Sequence, residues 1–539
     1  MPCLSDVSLL RSIPLTSLRT IAVVLVLAVV TTVVAAVLLS RTVPATAGAS
    51  SADEPTRPTR PVLRTVLRGV GRYTARIVMV GVPVLLVVVL GGLLINRPMH
   101  YVRTVGDLAK ATAPRAQANS RIESPPKSSA FGTAPASAWK ASFHDVGDGS
   151  QEATWTGPVS GIKLPVRVVL PAGYRPDDGR TYNVLEGLHG WVGSPQSMVT
   201  GIASPQRLQE AIDAGRIPPS ILVFPSLNVD GGQPDCVNIA GRPAVGTWTA
   251  EEIPRMIQAT FPNVTTQRAG WMIMGISAGA YCAARTAYDV PQRFGAVGVM
   301  SSYDLPGEGS LAHSGKTLQA QNGLSTMLGK RKPDGMRFYV LGAQDDSSGA
   351  ARAAWLMDDA VRKPDSLTVD TPASGGHSWT LWNNYFPSLL TWWGSDPAVF
   401  KAAGVTAPQG DTWAKATAAG VKPLSETPKD QRVVGSVSPV RAMPFEINGL
   451  GTIIVAVVAS LGALGTVMFW SPRWGRRRDG GRRSVARLGG AILGRVVVIL
   501  VAAGLVAVTA GIGVNASGGF YTSWRDLRAS VRVNERAGK

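Results

Sequence analysis

Four uncharged apolar runs constrain this chain more than any other feature. They lie at about 20–40 (TIAVVLVLAVVTTVVAAVLLS), 77–96 (IVMVGVPVLLVVVLGGLLIN), 450–470 within GTIIVAVVASLGALGTVMFW, and 492–514, where the run after Arg495 carries no charge. Each is long enough to cross about 30 Å of hydrocarbon as a helix, where every backbone N–H and C=O must be paired internally. A single run of this kind is equally at home as a buried core helix. Four of them with basic flanks predict transmembrane helices. The first follows Arg11 and Arg19 and shows no clear small-residue cleavage site, so it reads as a retained helix rather than a removed signal segment.

The net charge of +19 is unevenly placed. Residues 140–400 hold 20 basic and 23 acidic side chains, whereas the remainder holds 34 and 12. The basic excess therefore belongs to membrane-flanking loops and not to a nucleic-acid-binding face. One loop carries Arg41, Arg57, Arg60, Arg64, Arg68, Arg72 and Arg76. The other carries Arg473, Arg476, Arg477, Arg478, Arg482, Arg483, Arg487 and Arg495. Basic loops stay on the cytoplasmic side, which predicts a multi-pass protein of the cell membrane with both termini and the middle block extracytoplasmic. In that compartment Cys236 and Cys282 are a disulfide candidate, with two buried free thiols as the alternative.

The chain also repeats itself. NRPMHYVRTVGDL (96–108) and NASGGFYTSWRDL (515–527) align at an offset of 419, which pairs Asn96 with Asn515, Asp107-Leu108 with Asp526-Leu527 and, upstream, Arg76 with Arg495. Each copy reads as a helical hairpin with an arginine-rich inner loop and an aromatic exit. The expected organisation is a hairpin domain at 1–108, an Ala/Pro/Ser linker at 109–138, a folded domain at 139–400, a second linker at 401–446, and a second hairpin with a tail at 447–539.

Within 139–400, short apolar runs alternate with helical patterns. KLPVRVVLP, YNVLEGLHG, SILVFPS, GWMIMGI, FGAVGVMSS, MRFYVLG and SLTVDT read as strands. TAEEIPRMIQATF (249–261) reads as a helix capped by Thr249. This alternation predicts an α/β fold with a mainly parallel sheet.

Gly275-Ile276-Ser277-Ala278-Gly279 falls between one such strand and a helical stretch. Chance alone gives a G-x-S-x-G about 0.5 times in a chain of this composition, so the strand-to-helix setting carries the argument. There a serine sits at a tight corner above a helix N-terminus. A hydroxyl needs a base to become a nucleophile. In the chain order serine, acid, histidine, only His313 and His377 qualify. His377 lies in a glycine loop after a strand (ASGGHSWTLW), and His313 in a surface-type Gly/Ser stretch. The acid is Asp345 or Asp346 in LGAQDD, with Asp345 preferred and the other left to cap a helix. The backbone N–H groups of Ala278 and Trp191 are the expected oxyanion donors, and His189 is structural. The scattered histidines offer no metal-ligand spacing, no phosphate-binding glycine loop occurs, and no cofactor is expected.

YNVLEGLHGWVGSPQSM, MGISAGAYCAARTAYDVPQRFGAVGVMSS, LGAQDD and GGHSWTLWNNY together resemble the esterase-D-like branch of the α/β-hydrolases, which includes the secreted mycolyltransferases of actinobacteria. The resemblance covers about 150–395. It implies a serine triad and a covalent acyl-enzyme passed to water or to an alcohol. Mycolyltransferases are secreted and use Glu as the acid, whereas this chain offers Asp and four apolar spans, so their acyl and sugar specificity does not carry over. The overall plan is similar to membrane-attached actinobacterial esterases. The expected function is a membrane-anchored serine esterase or acyltransferase. Its partners would be a lipid or other ester substrate, the membrane, and a cell-envelope acceptor. The alternative is a non-catalytic hydrolase-like domain that binds an envelope glycan or protein, and a peptidase ranks lower.

Overall fold

The computed structural model describes residues 10–39, 61–111, 122–123, 126, 128–229, 236–307, 309–418, 421–432, 444–447, 449–469, 485–518, 521, 524 and 527–528. Cys3, most of the loop arginines and the polar half of the second repeat copy lie outside these residues. The chain forms two compact units. One comprises residues 1–13, 98–441 and 519–539, and the other 14–97 and 442–518.

The first unit is built on a nine-stranded sheet. Its strands are β1 (His144–Asp145), β2 (Gln151–Thr156), β3 (Lys163–Val169), β4 (Asn183–Leu188), β5 (Ser220–Pro225), β6 (Trp271–Ile276), β7 (Ala296–Met300), β8 (Arg337–Leu341) and β9 (Ser366–Asp370). The spatial order is β9-β8-β7-β6-β4-β5-β3-β2-β1. β9 through β5 run parallel, and β3, β2 and β1 are added antiparallel at one edge. This is the α/β-hydrolase fold with a mostly parallel sheet. Every residue of β4, β5, β6 and β7 is buried, as expected of strands covered by helices on both faces. Alternate residues feed two cores: Val184 and Leu188 pack on one face, Leu185 on the other.

The strand order reverses between β4 and β6. β4 pairs with β5 on one side and β6 on the other, so the crossovers leave a crevice beyond their carboxyl ends, where ligands bind in such sheets. His189 and Ser277 are the first residues past those two ends.

Three expectations change. Thr249 is not a cap: the helix begins at Val245 and runs to Thr260 through a wider turn at Trp248–Glu252. Its first N–H groups are met from a distance, the Thr247 N–H donating to Asn238 Oδ1 at 3.0 Å, while Thr249 Oγ1 donates back to Val245 O inside the helix. The two linkers are partly structured. Ile122–Glu123 pairs with Asn238–Ile239, and Thr371 N–H donates to Ser425 O while Arg432 bonds Asp358. Finally, residues 98–108, expected within the hairpin domain, belong to the sheet-bearing unit.

Cys236 and Cys282 form a disulfide with Cα atoms 5.2 Å apart. It ties the helix that follows Ser277 to the loop before Asn238.

The second unit holds four helices long and apolar enough to cross a membrane, by length and composition: Leu18–Leu38, Thr74–Arg97, Leu450–Met468 and Gly489–Ala516. Their shared core includes Ala35, Ala36, Val80, Val84, Val467, Ile499 and Ala502. The repeat-matched arginines play matching parts. Arg76 donates to Met468 O at 2.8 Å and Arg495 to Ala36 O at 3.3 Å. Each arginine, from the second helix of one hairpin, meets a last-turn carbonyl on the first helix of the other hairpin, where helix carbonyls lack internal partners and cations are favoured.

Closing a 46-residue separation is worth about 4 kcal/mol of unfolded-state entropy. Cys282→Ser is therefore expected to lower the thermal midpoint of the sheet-bearing unit, and thiol titration of the denatured, unreduced wild type to find only Cys3 free. Three titratable thiols would show that the bridge is not formed.

Candidate active site

Ser277 sits between β6 and helix α1 (Ala278–Asp289) with φ 55° and ψ −123°. A residue with a Cβ rarely adopts this left-handed backbone, and it persists only where the surroundings enforce it. Here they do. The Ser277 N–H donates to Met300 O at the end of β7 (2.9 Å), and its carbonyl accepts from Ala280 N (2.9 Å). A Cβ on Gly275 would land on the Gly279 carbonyl, and one on Gly279 would land on that of Leu188. Both flanking glycines are therefore required by backbone closeness.

His377 comes from the loop between β9 and helix α2 (Trp379–Gly394), whose N-cap is Ser378. Gly375 and Gly376, at φ 148° and 58°, turn the chain back over the sheet edge. The imidazole Nε2 lies 2.7 Å from Ser277 Oγ, and Nδ1 lies 2.8 Å from Asp346 Oδ2. With a carboxylate accepting at Nδ1, that nitrogen carries the proton, and Nε2 accepts from the serine hydroxyl. Asp346 Oδ1 accepts from both the N–H and the hydroxyl of Ser348, at 2.8 and 2.7 Å.

The carboxylate at the ring is thus that of Asp346, and the preference for Asp345 is corrected. Asp345 accepts from the N–H groups of Gly376 (2.8 Å) and Gly375 (3.2 Å). Neighbouring residues in the turn after β8 point in different directions. One carboxylate reaches the ring, and the other ties down the loop that carries the ring.

Electrostatics follow from this arrangement. Burial opposes charge on Asp346, but His377 and the Ser348 hydrogen bonds outweigh it and hold the carboxyl below its usual range. Burial likewise opposes charge on His377, yet Asp346 raises its pKa above the ordinary 6.5. Trp382 stands edge-on to the imidazole, with centroids 5.2 Å apart and planes at 87°, and its Nε1 donates to Ser301 Oγ at 3.0 Å.

His189 is buried, and burial lowers its pKa to about 4, against a smaller opposing effect of the Gly190 carbonyl. Its neutral ring accepts from Leu227 N–H at Nε2 (2.9 Å) and donates from Nδ1 to Gly190 O (2.8 Å). Gly190 lies directly against the serine: a Cβ there would come 2.9 Å from Ser277 Cβ. Ala278 occupies the first position of α1 and is buried. Trp191 lines a cavity of about 180 Å³. His313 is exposed and outside the site, as is His144 on edge strand β1. The same cavity is lined by His100, Tyr101 and Arg103, which lie at the aromatic exit of the first repeat copy. The only signal for them was the aromatic exit of the repeat.

Residues 158–392 match the family described as "putative esterase". That segment is similar to this esterase family, in line with the resemblance seen in the sequence. No curated protein matches the chain. Similar solved structures include a ferulic acid esterase (19% identity, TM-score 0.38, covering 45% of this chain and 97% of that one). Another is an S-formylglutathione hydrolase from Agrobacterium tumefaciens (15% identity, TM-score 0.38, 47% and 97%). A third is MPT51 of Mycobacterium tuberculosis (18% identity, TM-score 0.34, 49% and 99%). The family match supports hydrolase chemistry on an ester.

Two carboxylates with different partners give different expected losses. Asp346→Asn should reduce ester turnover about 10³–10⁴-fold by upsetting tautomer and charge on the imidazole. Asp345→Asn should cost about tenfold or less, as the loss of a loop-anchoring hydrogen bond. Steady-state kinetics on both variants checks this, and equal losses would contradict the assignment. A base acts when neutral, so the acid limb of kcat/KM should have its midpoint above 6.5, following the raised His377 pKa.

Proposed function

We propose that this protein is a membrane-anchored serine esterase or acyltransferase that works through an acyl-enzyme on an ester of the cell envelope. The observation that carries this reading is the continuous relay Ser277 Oγ to His377 Nε2 (2.7 Å) and His377 Nδ1 to Asp346 Oδ2 (2.8 Å) beyond the strand ends. In this reading His377 takes the hydroxyl proton as Ser277 Oγ attacks the ester carbonyl, and Asp346 stabilises the imidazolium. The N–H groups of Ala278 and Trp191 receive the developing oxyanion. The imidazolium then protonates the departing alkoxide, leaving an ester on Ser277. Water or an acceptor alcohol, deprotonated by His377, attacks that ester and frees the serine.

The envelope-facing placement rests on two features. Arginine-rich loops between the apolar runs mark the cytoplasmic side, and the Cys236–Cys282 bridge suits an oxidising compartment. No cofactor enters the scheme.

A charged fluorophosphonate that does not cross membranes should label the wild-type chain in intact cells and leave Ser277→Ala unlabelled. Equal labelling of both would remove the nucleophile assignment. Labelling only after lysis would put the domain on the opposite side.

A further inference from the structure

One wall of the cavity beside Trp191 comes from outside the matched esterase segment. Tyr101 and Arg103 line the same cavity as Trp191 and Asn228, yet they precede residue 158, where the family match begins. Tyr101 follows the helix Pro61–Met99 by two residues.

This strap is fixed on the sheet-bearing unit. Arg103 forms an ion pair with Glu152 on β2 (2.9 Å), and that carboxylate also accepts from the buried Arg167 of β3 (2.9 Å). Thr104 and Asp107 bond each other, Thr104 N–H to Asp107 Oδ2 at 3.0 Å and Asp107 N–H to Thr104 Oγ1 at 3.1 Å. Val105 N–H donates to Ile13 O at 3.1 Å.

Held this way, Tyr101 reaches the histidine loop. Its hydroxyl oxygen accepts from Trp379 Nε1 at 2.9 Å. Trp379 opens α2, two residues after His377. Its indole lies over Gly201, where a Cβ would overlap the ring. It stands edge-on to Trp382 at 5.1 Å and 84°, and Trp382 in turn stands edge-on to the His377 imidazole. One phenol therefore pins the first of two indoles, and the second borders the base. Burial raises the pKa of this phenol, Trp379 opposes the rise and Tyr521 adds to it, so the hydroxyl stays protonated.

We propose that Tyr101, which lies outside the esterase segment, is a positioning residue for His377, acting through Trp379 and Trp382. The proposal rests on the serine-esterase reading above. Its consequence is that turnover depends on a segment continuous with an apolar helix.

The test uses the full-length chain in detergent micelles, p-nitrophenyl butyrate as substrate, and a fluorophosphonate to count intact sites. Tyr101→Phe keeps the ring and removes the acceptor. It should lower kcat per labelled site about fivefold, the rate equivalent of one ordinary hydrogen bond, with KM changed by less than about twofold. It should also move the acid limb of kcat/KM to lower pH, because a looser ring is held less firmly against Asp346. Trp379→Phe should have the same effect, and the double variant should be no worse than either single one. An unchanged kcat and acid limb in Tyr101→Phe, or additive losses in the double variant, would overturn the proposal while leaving the esterase reading in place. A wild-type chain that neither takes the label nor turns over ester would remove both.

Discussion

The strand-to-helix corner at Ser277 is the constraint on which the rest of the candidate site depends. Its left-handed backbone is held by the end of β7 on one side and the first turn of α1 on the other. Three glycines make room for it: Gly275 and Gly279 against backbone carbonyls, and Gly190 against the serine itself. Because the six parallel strands share one carboxyl edge, whatever follows them collects at the same rim. The Gly190 loop after β4, the Asp345-Asp346 turn after β8 and the His377 loop after β9 are neighbours for that reason.

Two adjacent aspartates show how finely this rim is divided. Asp346 bonds the ring nitrogen, and Asp345 bonds the two glycine N–H groups beside it. Moving the chain by one residue would exchange a charge that supports the imidazolium for one that anchors a loop. His189 makes the same point with a neutral group. Buried and fixed in one tautomer between Leu227 and Gly190, it sets the path of the loop next to Ser277 without titrating near neutral pH.

The sheet-bearing unit extends beyond the esterase segment. The segment after the second apolar helix is part of the sheet-bearing unit, and its tyrosine meets the tryptophan that opens the helix after His377. Within the helical unit, the duplicated arginines each satisfy a last-turn carbonyl of the opposite hairpin. The two copies are thereby interlocked, which gives the internal repeat a physical purpose.

The sequence by itself determined the apolar spans, the alternation of strand and helix, the placement of Ser277 at a tight corner and the choice of His377 among five histidines. These are local matters: hydrophobic period, glycine spacing and chain order are all written within short stretches. The tertiary structure alone decided which of Asp345 and Asp346 faces the ring, because that depends on how one turn points relative to a loop thirty residues away. It also joined Cys236 to Cys282. Finally it grouped residues 98–108 with the sheet-bearing unit. Each of these is a contact between segments far apart in the chain, and no local pattern of residues specifies which distant side chain will arrive.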